Sequence, residues 1–107
     1  MKNTAEIILN EYKNAINGRL GTIVNDIVLF GSQQKGNATP WSDYDILIIL
    51  NIDYDWKTER EISDACYTID LKYGILSDTH ILAVSELDTL RGQQPVFVNA
   101  LKNGIHG

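Results

Sequence analysis

Residues 44–50 read Tyr-Asp-Ile-Leu-Ile-Ile-Leu, apolar at nearly every position rather than at every second one. A strand with one wet face alternates apolar and polar side chains, whereas an unbroken apolar run suits a strand covered on both faces. The flanking segments can supply that cover. Residues 4–17 carry Ala5, Ile8, Tyr12, Ala15 and Ile16 at helical spacing, with Asn3 and Glu6 as a capping box and Gly18 as the stop. Residues 57–73 repeat the pattern through Ile62, Ala65, Cys66, Ile69 and Tyr73, and Gly74 ends it. Two further runs, 26–30 and 75–84, read as strands. A Ser85-x-x-Asp88 helix start follows, then a helical turn or two over 95–103. Residues 33–42, with Gly36, Asn37, Pro40 and Ser42, have loop composition, with room for one helical turn at their start. The order helix, strand, loop, strand, helix, strand, helix predicts an α/β layer with helices packed on a sheet.

Size and composition narrow the function. A chain of 107 residues fits a single domain, expected over residues 1–107. At 44% hydrophobic and 21% charged it has the composition of a globular protein rather than a disordered one. No apolar run reaches the roughly 20 residues of a membrane span. The opening Met-Lys-Asn-Thr-Ala-Glu lacks the apolar segment of a secretory signal. Cys66 is alone, so an internal disulfide and a thiolate zinc site are both excluded. A cytoplasmic protein is the simplest expectation. The net charge is −5, and residues 43–107 hold eleven of the fourteen acids. No duplex DNA binding is expected, because such affinity comes largely from neutralised phosphates. Carboxylates can still work on phosphates through bound cations.

Chemistry concentrates between residues 30 and 46. A strand ends in Gly31-Ser32, where a missing side chain lets a bulky anion approach the backbone. If a helical turn starts at Ser32, its N–H groups and hydroxyl favour a phosphate. Eleven residues on, Asp43 and Asp45 stand two apart at a strand start, on one face. Such a pair repels itself unless a cation or proton lies between, and oxygen ligands of this kind suit magnesium. Taken singly, Gly31-Ser32 reads as a strand-ending turn, the two aspartates as a solvated strand edge, and Lys35 as a surface lysine. Their conjunction points to nucleotide and metal binding.

A hydrophobic residue, Gly31-Ser32, about ten residues and Asp43-x-Asp45 resemble the signature of the DNA polymerase β-like nucleotidyltransferase superfamily. The length resembles its minimal branch, which includes antitoxins partnered with HEPN-domain toxins. The 95–104 ending, Pro-Val-Phe-Val-Asn-Ala-Leu-Lys-Asn-Gly, also looks like tails of this branch. The resemblance implies a small mixed β-sheet with helices packed on it. It also implies transfer of a nucleoside monophosphate, most often AMP from ATP, to a hydroxyl acceptor with pyrophosphate leaving. In the antitoxin branch that acceptor is a tyrosine of the partner toxin; self-association is the other partner expectation. Asp43 and Asp45 would hold two Mg2+ ions, and Gly31, Ser32, Lys35 and Ser42 would bind the nucleotide. Relatives usually carry arginines after Gly-Ser, where this chain has Gln33 and Lys35, and larger members append a helical domain that is not expected within 107 residues.

Relatives also place a third metal-binding carboxylate on a neighbouring strand. Asp78 is the favoured candidate, sharing a strand face with Leu76, His80, Leu82 and Val84. Relatives tend to place this carboxylate nearer the strand's end, where Leu82 stands here. Asp70 is the alternative, although its place beside the Ile62–Tyr73 stripe reads better as a solvated helix flank. His80 reads as a partly buried strand residue before it reads as a ligand or base, and Cys66 as core. Trp41 and Trp56 flank the acidic strand, either to stack on a base or to cover the sheet edge or a partner surface. His106 falls in a tail expected to fray. A non-catalytic partner-binding module that keeps the fold is the alternative function, favoured by Gln33.

Overall fold

The computed structural model describes residues 4–30, 44–87, 89 and 94–107. Its elements run α1 (Thr4–Leu20), β1 (Val24–Phe30), β2 (Tyr44–Leu50), α2 (Trp56–Tyr73) and β3 (Ser77–Ala83), then a short 3-10 turn (Val84–Glu86), α3 (Pro95–Asn103) and β4 (Ile105–His106). The sheet has the order β3-β2-β1-β4. β2 runs antiparallel to β1 and parallel to β3, so the sheet is mixed, as the sequence resemblance implies.

The unbroken apolar run of β2 is explained by what lies on either side. Ile46, Ile48 and Leu50 join Ile27, Leu29 and Ile81 in a cluster roofed by Ile8, Leu9, Tyr12 and Ile16 of α1 and Ile62, Ala65 and Ile69 of α2. Leu47 and Ile49 face the other way, with Val28 and Leu82, against Phe97 and Ala100 of α3. Period two sorts the residues between the layers. Ion pairs Lys72–Glu11 at 2.7 Å and Arg19–Glu61 at 3.5 Å tie the rims of α1 and α2 together.

Helix ends follow local chemistry. Asp55 accepts the Thr58 N–H at 3.0 Å and the Thr58 hydroxyl at 3.1 Å, capping α2 and holding the Asp55 carboxyl below its ordinary range. Gly74, at φ 65, closes the same helix in the left-handed region. Helix α1 runs past the expected stop at Gly18 and ends before Gly21, at φ 87. A Cβ on Gly18 would meet nothing within 4 Å, so this glycine is an exposed helix position. Asn3, its expected cap, lies outside the described residues. The helix expected from Ser85 is the 3-10 turn, where the Glu86 carboxylate accepts the Ala83 N–H at 3.0 Å; Asp88 lies outside the described residues.

The tail does not fray. β4 pairs antiparallel with β1, Ile105 with Leu29 and His106 with Val28. The His106 ring joins Asp26 Oδ2 at 2.7 Å and the Leu101 carbonyl at 3.1 Å. Gly104 permits the approach, since a Cβ there would stand 2.3 Å from Val28 Cγ1 and 2.8 Å from the Leu29 carbonyl oxygen. Among the described residues, no helix is long and apolar enough to cross a membrane.

Candidate functional site

The pairing registers put three residues in one row across the sheet. Phe30, the last residue of β1, stands opposite Asp45, and Asp45 stands beside Asp78 in the parallel β2–β3 pair. These positions belong to the α3 face, and His80, two residues after Asp78, faces the same way. The His80 ring lies 5.7 Å from Phe30 and 5.9 Å from Phe97, centroid to centroid. One edge of the imidazole therefore borders the apolar cluster under α3 and the other borders the carboxylates. Its Nε2 is 3.7 Å from Asp78 Oδ2, with the Asp78 side chain 57% and the His80 side chain 33% exposed. One donor atom each from Asp45, Asp78 and His80 lies within 4.8 Å of the other two.

This donor set fits a divalent cation. Two carboxylates held on adjacent strands raise each other's energy, and a cation between them removes that cost. Asp78 keeps an open side, where a substrate can approach. Gly31 follows Phe30 directly in the chain and Asp43 precedes Tyr44, so the loop that carries the expected phosphate-binding residues joins the sheet at this row. Gly31, Ser32, Gln33, Lys35, Trp41, Ser42 and Asp43 themselves lie outside the described residues.

Asp70 is placed elsewhere, and not as a solvated flank. It is buried and lies on the α1–α2 side of the sheet, where its carboxylate accepts the Tyr12 hydroxyl and, from Ser77, the backbone N–H at 3.2 Å and the hydroxyl at 2.8 Å. Burial first, and Asp70 second, push the Tyr12 hydroxyl well above its usual value. This carboxylate fastens α1, α2 and the start of β3 together and has no approach to the Asp45–Asp78 row. Trp56 begins α2 beyond the far end of β2 from Asp45 and is 65% exposed, so it neither covers the sheet edge nor stands at the row. Cys66 is core as expected, and burial pushes its thiol up to about 12. Sequence reading did not pick out Phe30 and Phe97 as walls for the His80 ring. The one signal for it was the aromatic residue set directly before Gly31.

A family model described as "Nucleotidyltransferase domain" matches residues 9–94. The chain belongs to that family. The matched stretch takes in all three strands of the row and both of its described carboxylates. A protein of Methanocaldococcus jannaschii named "Putative protein adenylyltransferase" is 35% identical over 99 residues, covering 92% of this chain and 93% of that one. The protein is thus a minimal nucleotidyltransferase, and its mixed four-stranded sheet with three helices is consistent with the nucleotidyltransferase fold. Family and relative together support nucleotidyl transfer as its chemistry.

Proposed function

We propose that this nucleotidyltransferase moves AMP from ATP to a hydroxyl of a partner protein, in the cytoplasm, with pyrophosphate as the leaving group. The observation that carries the reading is the placement of Asp45 beside Asp78 at the sheet end that meets the Gly31–Asp43 loop. Likeness to a protein named for adenylyl transfer to protein supports the choice of donor and acceptor class. A tyrosine of a HEPN-type toxin is the acceptor we favour.

Asp43, Asp45 and Asp78 would hold Mg2+, two ions in all. When bound, these supply the positive charge that neutralises the triphosphate as its α–β bond breaks. The protein's own part is mostly positioning. Gly31 leaves space for the phosphate tail, Ser32 and Ser42 donate hydrogen bonds to it, and Lys35 adds a cation. The acceptor oxygen forms its bond to the α-phosphorus as the bond to pyrophosphate breaks. The hydroxyl proton passes to the carboxylate of Asp78, the member of the row open to solvent.

The test is incubation of the chain with α-labelled ATP, Mg2+ and a candidate partner encoded beside it. Label should move to the partner, and Asp45→Asn and Asp78→Asn should each lower the rate about a hundredfold or more. Transfer undiminished in Asp45→Asn would remove the basis of the proposal. A wild type that binds its partner without labelling it would point instead to the non-catalytic module that Gln33 favours.

A further inference from the structure

We propose that His80 is a nitrogen donor to the cation held by Asp45 and Asp78, and that it biases this site towards first-row transition ions such as Mn2+ over Mg2+. The inference rests on the cation site of the proposed function and adds a ligand of a different chemical kind. Carboxylate oxygens suit Mg2+ and Mn2+ alike, whereas an imidazole nitrogen favours transition metals and offers Mg2+ little.

Three observations carry it. The first is distance. At 3.7 Å, His80 Nε2 and Asp78 Oδ2 are too far apart for a direct hydrogen bond. Two donors bound to one ion at about 2.1 Å each can be spread up to about 4.2 Å apart. The gap is therefore of the size an ion fills. The second is orientation. Phe30 and Phe97 flank the ring at 5.7 and 5.9 Å, which limits its rotation while its Nε2 edge faces Asp78. A donor fixed by its packing loses little freedom on binding. The third is position. Parallel register sets Asp45 beside Asp78, and period two then delivers His80 to the same face, so all three donor atoms fall within 4.8 Å of one another. A side-chain adjustment of at most about 0.6 Å brings every pair inside the span of one ion. Simple apolar packing against Phe30 and Phe97 would be better served by leucine or phenylalanine, which bring no polar edge to the carboxylates.

The readout is pulsed electron paramagnetic resonance of Mn2+ added alone to the full chain, with Mn2+ and Mg2+ affinities from competition titration. Bound Mn2+ should show the coupling of one imidazole nitrogen, altered by 15N-histidine labelling. The coupling should vanish in His80→Asn and His80→Leu. Mn2+ binding should weaken about tenfold or more in both, and Mg2+ binding much less. The chain has only two histidines. Should both His80 variants fail to fold, a coupling that persists in His106→Asn therefore assigns it to His80. Bound Mn2+ without imidazole coupling overturns the inference, as does a coupling that survives in the His80 variants. If Asp45→Asn still releases that Mn2+, the cation site of the proposed function stands and only His80 falls. No Mn2+ binding by the wild type sinks both. Coupling present without any nucleotidyl transfer leaves His80 as a ligand and sinks the reaction.

Discussion

Asp70→Ala separates the two carboxylates that the sequence leaves open as third members of the site. Asp70 is 8% exposed, and Tyr12, whose hydroxyl it accepts, is fully buried. A hydrogen bond to a charged acceptor is worth about 1.5–3 kcal/mol, and a buried donor left unpaired costs about 1–3 kcal/mol. Ser77 is half-buried, so water can replace much of what it loses. The alanine variant should therefore lose about 3–5 kcal/mol, a large part of the roughly 5–15 kcal/mol of a whole domain. At about 4 °C per kcal/mol, its Tm should fall by roughly 12–20 °C. Asp70→Asn keeps one acceptor oxygen and should lose less, about 1–3 kcal/mol, while retaining nucleotidyl transfer at permissive temperature. Asp78→Asn should do the opposite, keeping stability and losing transfer. Tyr12 adds a pH signature. Its folded value lies above the ordinary 10, so its contribution is intact below pH 10 and is lost as pH rises beyond it. The slope is about 1.4 kcal/mol per pH unit, and Tyr12→Phe should remove it. Urea unfolding followed by circular dichroism measures the stabilities and their pH slope, thermal melting the Tm, and label transfer from ATP the activity. An Asp70→Ala protein within about 1 kcal/mol of wild type, or a stable Asp70→Asn protein that transfers nothing, would refute the assignment.

Gly104→Ala should lower Tm by several degrees, because its Cβ would stand 2.3 Å from Val28 Cγ1 and 2.5 Å from the Ala100 carbonyl oxygen, and thermal melting would detect it. Asp26→Asn should loosen the His106 ring and speed amide exchange at Gly107, whose N–H donates to the Ile27 carbonyl at 2.9 Å, while leaving exchange in β2 unchanged. Cys66, with its thiol at about 12, should resist iodoacetamide at pH 8 in the folded protein and react only in denaturant, as mass spectrometry would show.

What could be read from the sequence was whatever depends on local period. The bounds of β2 follow from the apolar run at 44–50, and those of α2 follow from its stripe and from Gly74. What could not be read depends on partners distant in the chain. Asp70 sits beside an apolar stripe, as a solvated flank would; it is buried and paired by Tyr12, 58 residues away, together with Ser77 across the turn into β3. β4 is two residues long, too short to show a period, and it exists because Gly104 lets it reach β1 and Asp26 holds His106. Gly18 carried the usual sign of a helix end, yet the chain continues to Leu20 because an exposed glycine costs a helix only about 1 kcal/mol.

The same division applies to the site. Asp45 and Asp78 lie 33 positions apart in sequence, and no spacing rule relates them. Their adjacency comes from the β2–α2–β3 crossover, in which an 18-residue helix returns the chain to pair in parallel with β2. Parallel pairing brings the starts of both strands to one end of the sheet, and antiparallel pairing brings the finish of β1 to that same end. A mixed sheet of this order thus gathers two carboxylates and the Phe30–Gly31 junction at one end, while apolar layers on both faces hold the strands in register. Any slip of β3 by one residue would turn Asp78 into the α1–α2 core and Ser77 away from Asp70. The half-buried Ser77 contact with Asp70 therefore helps fix the register that presents Asp78 beside Asp45, and a carboxylate on one face of the sheet positions the proposed metal ligand on the other.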